Sequence, residues 1–195
     1  MLIYAAGKIK KGSYQVHFET PRLLIRLFTT TDLTDLYHFM KNPKLAAMAG
    51  WQPPTSRQES WSVLQMFIRS DEVFALMEKA TQHVIGSIGL HRRVPSAIKP
   101  EDDSRELSFI LGEAYWGQGL MPEAVNAILR YGFIDLKLQE IWVGHFQDNY
   151  RSQRVIEKTG FHFEYEFERP RLFSDQPPIE EVYYKLTAAD FRGHY

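Results

Sequence analysis

Apolar positions alternate at Leu23, Ile25 and Leu27 behind Thr20-Pro21, which predicts a strand with Arg26 on its outward side. Leu33, Leu36, Tyr37 and Met40 then fall at helical spacing, so a helix is expected to about Lys41 with Asp32 as its cap. Ser56 and Glu59 form a capping-box pattern ahead of a second helix whose face is marked by Trp61, Leu64 and Ile68. The Pro-rich stretch 42–55 between the helices reads as a loop. Segments 73–77, 83–90 and 105–111 predict an antiparallel meander, interrupted by the polar stretch 95–103. A helix over 122–133, a strand over 140–144, a helix over 151–159 closed by Gly160, and strands over 163–167 and 182–186 complete the order, the last strand being reached across the polar segment 168–179. Such a mixed order argues against a doubly wound parallel sheet and for an α+β sandwich.

Composition narrows the picture. With 195 residues and 44% apolar content, one domain covering 1–195 is expected, with residues 1–18 as an N-terminal extension or edge strand. A formal net charge of -1 provides no field for nucleic acid or an anionic membrane, and no apolar run approaches the ~18 residues of a membrane span. Residues 1–6 form an apolar run shorter than a signal-peptide core and read as an edge strand or loose terminus. Cysteine is absent, which excludes disulfides and thiolate chemistry and fits a cytosolic address. The seven histidines show no His-Glu-x-x-His spacing, so no metal is expected.

The candidate chemistry starts at Gly117-Gln118-Gly119, between a strand ending near Leu111 and a helix opening at Pro122. Backbone N–H groups there converge beside a positive helix end and favour an anion. A P-loop would need Gly-Lys-Ser/Thr where the chain has Gly119-Leu120-Met121, and a dinucleotide fingerprint would need Gly or Ala where Pro122 stands. An acyl-coenzyme A diphosphate cradle survives. From the loop alone, a plain helix entry with two glycines and an aromatic anchor stays open.

Glu106-Leu107-Ser108-Phe109-Ile110, then Tyr115-Trp116-Gly117-Gln118-Gly119 with Glu123-Ala124, then Asn149-Tyr150-Arg151-Ser152 and Glu157-Lys158-Thr159-Gly160-Phe161 occur in one order. Together with Thr20-Pro21-Arg22-Leu23-Leu24-Ile25-Arg26, they resemble the GCN5-related N-acetyltransferase (GNAT) superfamily, in the branch of the ribosomal-protein N-terminal acetyltransferases. The resemblance spans residues 19–186. Two positions depart from the family motif: Ala114 stands where Gln or Arg usually opens it, and Pro122 occupies the first helical turn. The resemblance implies a mixed, mainly antiparallel twisted sheet, splayed at its centre, with helices on both faces. It implies acetyl-CoA as co-substrate, held through Trp116, Gly117, Gln118, Gly119, Leu120 and Met121, with Asn149 at the pantetheine or acetyl region. It also implies that the acceptor enters over the loop 42–55 that carries Trp51, and the stretch 168–179 is expected to form the other side of that entry.

Direct transfer to an amine needs a proton acceptor on one side and a donor to sulfur on the other. Alternation places Glu106 with Ser108 and Ile110 on one face of the strand and Leu107, Phe109 and Leu111 on the other, and the sheet splay that the resemblance implies aims Glu106 at the acceptor amine, which makes it the candidate base. A carboxylate paired with a lysine or arginine is the alternative. Ser152 is the candidate donor by resemblance, the alternative being a helix-start hydroxyl bonded to the backbone. The expected activity is acetyl transfer to a primary amine, a protein N-terminal α-amine or a small-molecule amine. A non-catalytic acyl-CoA sensor and a structural protein retaining the fold are the competing readings.

Overall fold

The computed structural model describes residues 17–93, 95, 103–169 and 178–192. In chain order the elements are β1 (His17–Glu19), β2 (Leu23–Leu27), α1 (Leu33–Met40), α2 (Pro43–Ala49), α3 (Arg57–Ser70), β3 (Val73–Glu78), β4 (Val84–His91), β5 (Ser104–Leu111), α4 (Leu120–Arg130), β6 (Glu140–Phe146), α5 (Tyr150–Lys158), β7 (His162–Arg169), β8 (Ile179–Thr187) and α6 (Ala188–Arg192). The strands follow the order β1-β2-β3-β4-β5-β6-β8-β7 in a mixed, mostly antiparallel eight-stranded sheet. The β5–β6 ladder is parallel. The chain divides into two compact units, one of residues 1–89 with 109–127 and one of 90–108 with 128–195.

In the first unit, β1, β2 and β3 pair antiparallel in sequence order, and β3 pairs with β4 across a register shift at Leu76/Met77. The expected strand face at Leu23 and Ile25 is fully buried. Phe28, Leu36, Phe39, Leu45, Leu64, Val73, Ala75 and Val84 form the core, with Trp51 and Trp116 packed against it.

Two expectations need correction here. Asp32 does not cap α1 with its side chain: its carboxylate takes two bonds from the Arg26 guanidinium at 2.8 Å each and one from the Thr29 N–H. Arg26 is therefore turned to a buried partner rather than to solvent. Burial raises the Asp32 pKa, but the bonds from Arg26 and Thr29 outweigh it and hold the carboxyl below its ordinary value. The stretch 42–55 is also not all loop. Asn42 accepts from the N–H groups of Lys44 and Leu45, Pro43 sits in the first turn, and Leu45 and Ala46 are buried, so α2 forms. A capping Asn followed by Pro is a helix start, and the prolines further along masked it.

In the second unit, β6 pairs with β8 and β8 with β7, both antiparallel, while β5 pairs with β6 over Ser104–Leu107 and Glu140–Val143. Ile141, Val143, Ile156, Phe161 and Leu186 are buried, and Phe133 stacks on Phe191 at 5.0 Å. The last strand begins earlier than expected and α6 follows it directly. The expected edge strand of residues 1–6, and most of the stretches 95–103 and 168–179, lie outside the described residues. Among the described residues no helix is long and apolar enough to cross a membrane.

Candidate active site

Within the first unit, Gly117 and Gly119 have φ of +76° and +75°, a region where a side chain is strained. A Cβ built on Gly117 would meet nothing within 4 Å, so the loop surface there is open. The side chains beyond it turn inward: Leu120 and Met121 are 2% and 4% exposed, and the Trp116 indole donates to Leu111 O at 2.7 Å. Trp116 also packs on the core, with Lys44 Nζ 5.2 Å from its ring. Among the described residues, the N–H groups of Gly117, Gln118, Gly119, Leu120 and Met121 have no acceptor in the protein. These donors, at the N-terminus of the eleven-residue α4, fit the oxygens of a diphosphate. The backbone rather than the side chains presents these donors, and Pro122, which has no N–H, ends the run at Met121.

Glu123, in the first turn of α4, accepts from the Thr20 hydroxyl at 2.5 Å, from Arg22 N at 3.0 Å and from Arg22 Nε at 2.7 Å. Burial raises its pKa, but these three donors outweigh burial and hold it below the ordinary glutamate value.

In the second unit, register sets a face. Glu106 lies opposite Trp142, Gly144 opposite Tyr183, and Tyr183 opposite Tyr165, while Glu181 lies opposite Phe146 and Phe167. Opposed residues and residues two apart share a side of a sheet, so Glu106, Trp142, Tyr183, Tyr165 and Glu181 share one. Tyr165 stacks on Tyr183 at 5.2 Å and tilts against Trp142 at 6.3 Å. Gly144 makes this possible, because a Cβ there would stand 2.7 Å from the Tyr183 ring.

The Glu106 side chain is 17% exposed and accepts from Arg93 Nε at 3.0 Å. Burial raises its pKa, Arg93 opposes the rise, and Glu181 adds to it; the net shift is upward. The result is a weaker acid than an ordinary glutamate and a stronger base, which suits proton abstraction near neutral pH. Glu106 is thus both half-buried and paired with an arginine, and Arg93 itself is 66% exposed. Tyr183 donates to Glu181 at 2.8 Å, and burial followed by that bond raises its pKa, so it stays protonated.

Asn149 caps α5, its side chain accepting from Ser152 N at 3.1 Å. The Ser152 hydroxyl has no hydrogen-bond partner among the described residues, so it is not consumed by the backbone. Trp51 packs on the core of the first unit and donates from its indole to Met40 O at 3.2 Å. Sequence reasoning missed Arg93, Glu181, Tyr183 and Tyr165. Only Gly144, placed opposite an aromatic residue, could have pointed to them, and that pairing requires the register.

The sequence profile of the acetyltransferase (GNAT) domain matches residues 22–162. The protein named uncharacterized N-acetyltransferase YoaA of Bacillus subtilis (strain 168) is 26% identical over 174 residues, which cover 87% of this chain and 95% of that protein. The ribosomal protein uS5-alanine N-acetyltransferase of Escherichia coli (strain K12) is 24% identical over 194 residues, 91% of this chain and 93% of that protein. Among solved structures, a GNAT-family acetyltransferase from Bacillus anthracis superposes with a TM-score of 0.78 at 21% identity, covering 89% of this chain and 99% of that one. Spermidine N-acetyltransferase from Vibrio cholerae, solved with CoA and spermine, gives a TM-score of 0.70 at 19% identity over 89% and 99%. At these identities the solved structures establish the fold alone. The family profile spans well over half of the chain and the relatives nearly all of it, and this chain belongs to the GNAT family and is an N-acetyltransferase.

Proposed function

We propose that this protein transfers the acetyl group of acetyl-CoA directly to a primary amine, and that a protein N-terminal α-amine is the acceptor. One observation carries the cofactor reading: five consecutive N–H groups, from Gly117 to Met121, have no acceptor among the described residues at the start of α4. Asn149 would bond the pantetheine or acetyl region. In the transfer, the amine nitrogen attacks the thioester carbonyl, the C–N bond forms and the C–S bond breaks. Glu106 takes the amine proton, directly or through water, and Ser152 donates to the departing sulfur.

The preference for an α-amine is physical. An α-amino group has a pKa of about 8 and lysine about 10.4, so supplying the neutral nucleophile at pH 7 costs roughly 3 kcal/mol more for lysine. A single carboxylate whose pKa burial raises suits the easier task. The similarity to the uS5-alanine N-acetyltransferase points the same way.

A second reading, a polyamine acceptor, is favoured by an open concavity of the second unit that is lined by Glu166, Glu168, Glu180 and Glu181, a surface suited to a multiply charged cation. The spermidine N-acetyltransferase fold neighbour is consistent with it. Trp51 is retained as the acceptor-side residue of the first unit. Incubation with acetyl-CoA and a panel of N-terminal peptides, lysine peptides and polyamines, read by mass, decides among these. Acetylated peptide N-termini are expected. Acetylated polyamines alone would establish the second reading, and tight CoA binding without any acetylated amine would make the protein a sensor.

A further inference from the structure

The Thr20-Pro21-Arg22 run and Glu123 are not needed by the chemistry above, yet they meet at the glycine loop. Arg22 NH1 donates to Gln118 O at 2.7 Å, and its Nε and NH2 each reach Glu123 Oε2 at 2.7 Å. NH2 also stands 3.6 Å from where a Cβ on Gly119 would lie. All three guanidinium nitrogens are thus engaged on one turn.

We propose that Arg22 is a positioning residue for the cofactor: by holding the Gln118 carbonyl, it fixes the direction of the Gly119 N–H that faces the diphosphate. The inference rests on reading this loop as the diphosphate cradle. In a trans peptide the carbonyl and the following N–H point to opposite sides, so a carbonyl anchored toward Arg22 aims the Gly119 N–H away from it. The peptide between Gln118 and Gly119 needs such an anchor, since Gly119 adopts either sign of φ with little cost. Gln118 does not supply it, because its own side chain donates to Ala114 O at 3.1 Å. Glu123 orients the guanidinium: its carboxylate, held by Thr20 and Arg22 N, leaves NH1 aimed at the loop. Arginine is suited to this role because a planar fork bridges two acceptors at fixed angles, whereas a lysine ammonium is a point charge.

The test compares acetyl-CoA with acetyl-pantetheine, which keeps the thioester and lacks the diphosphate. Arg22→Met should raise the KM for acetyl-CoA about tenfold with kcat within about twofold, and should weaken CoA binding by calorimetry to the same degree. Turnover of acetyl-pantetheine should stay within about twofold of the parent. Glu123→Ala should show the same pattern, and the double variant should be no worse than either single one, because the two residues act as a unit. Should Arg22→Met fail to fold, Arg22→Lys makes the same comparison with the charge retained, and the same KM rise is expected. Equal losses on both thioesters, additive effects in the double variant, or full recovery with lysine would overturn the positioning role. The parent reports on the cradle separately: if it uses acetyl-pantetheine as well as acetyl-CoA, the loop is not a diphosphate site and the inference falls with it.

Discussion

The glycine loop and the Glu106 face are built in contrasting ways. In the loop, the groups that would meet a ligand are backbone N–H donors, while Leu120 and Met121 are buried and the Trp116 indole is bonded to Leu111. On the Glu106 face, every group of interest is a side chain, aligned by the registers of β5, β6, β8 and β7. A backbone cradle is expected to tolerate side-chain change as long as its glycines remain, and of the two departures from the family motif only Pro122 removes a backbone donor. A side-chain face is set residue by residue and can be retuned for a different acceptor. Cofactor recognition should therefore be robust to side-chain substitution outside the glycines and their anchors, and acceptor chemistry should not.

The sharpest way to break this contrast is Gly119→Val. The position has φ +75°, and a β-branched residue there should cost CoA affinity about 10²-fold or more, since the backbone must move away from its binding geometry. Calorimetry with CoA reads this directly, and an unchanged affinity would place the diphosphate elsewhere.

Next is Glu106→Gln, which should lower kcat/KM about 10²-fold at pH 7 while leaving CoA affinity unchanged. The sign of its pH dependence follows from the raised pKa: the basic form is lost on acidification sooner than for an ordinary glutamate, so a second decline in the parent's kcat/KM, below the one caused by protonation of the amine, should set in at a higher pH than an ordinary glutamate would give. The deficit of the variant should shrink at high pH, where more amine is already neutral. A variant within about twofold of the parent at every pH would leave solvent as the base.

Ser152→Ala should cost about tenfold in kcat, because a thiol of pKa about 8.5 departs readily unaided. Its free hydroxyl predicts that folding stability is unaffected, which a denaturation curve checks. The smallest effect on turnover is expected of Trp51→Phe. It keeps the ring and removes the bond to Met40 O, so about 1 kcal/mol of stability should be lost. Acceptor KM should rise more than the KM for acetyl-CoA, and equal effects on both would remove Trp51 from the acceptor side.

Legibility in the sequence followed the same division. The two glycines and the helix after them were readable because backbone needs restrict residue type, and the alternation around Glu106 separated that carboxylate from the face of buried Leu107 and Leu111. Its partners were not readable. Arg93 approaches from the end of β4, and Glu181 and Tyr183 from a strand more than seventy positions away, through pairings that no local pattern encodes. Arg22 and Glu123 were each visible inside a motif, but their bond spans 101 positions. The helix α2 was hidden for a different reason: its Asn-Pro start was readable, but it is only seven residues long and sits in a proline-rich stretch.

The central claim is that the backbone of residues 117–121 receives the cofactor diphosphate. Amide NMR shifts of Gly117, Gln118, Gly119, Leu120 and Met121, followed as CoA and then pantetheine are added, test it most directly. The account predicts large saturable shifts of these five amides with CoA and much smaller ones with pantetheine. Saturable CoA binding that leaves these amides unmoved would contradict it.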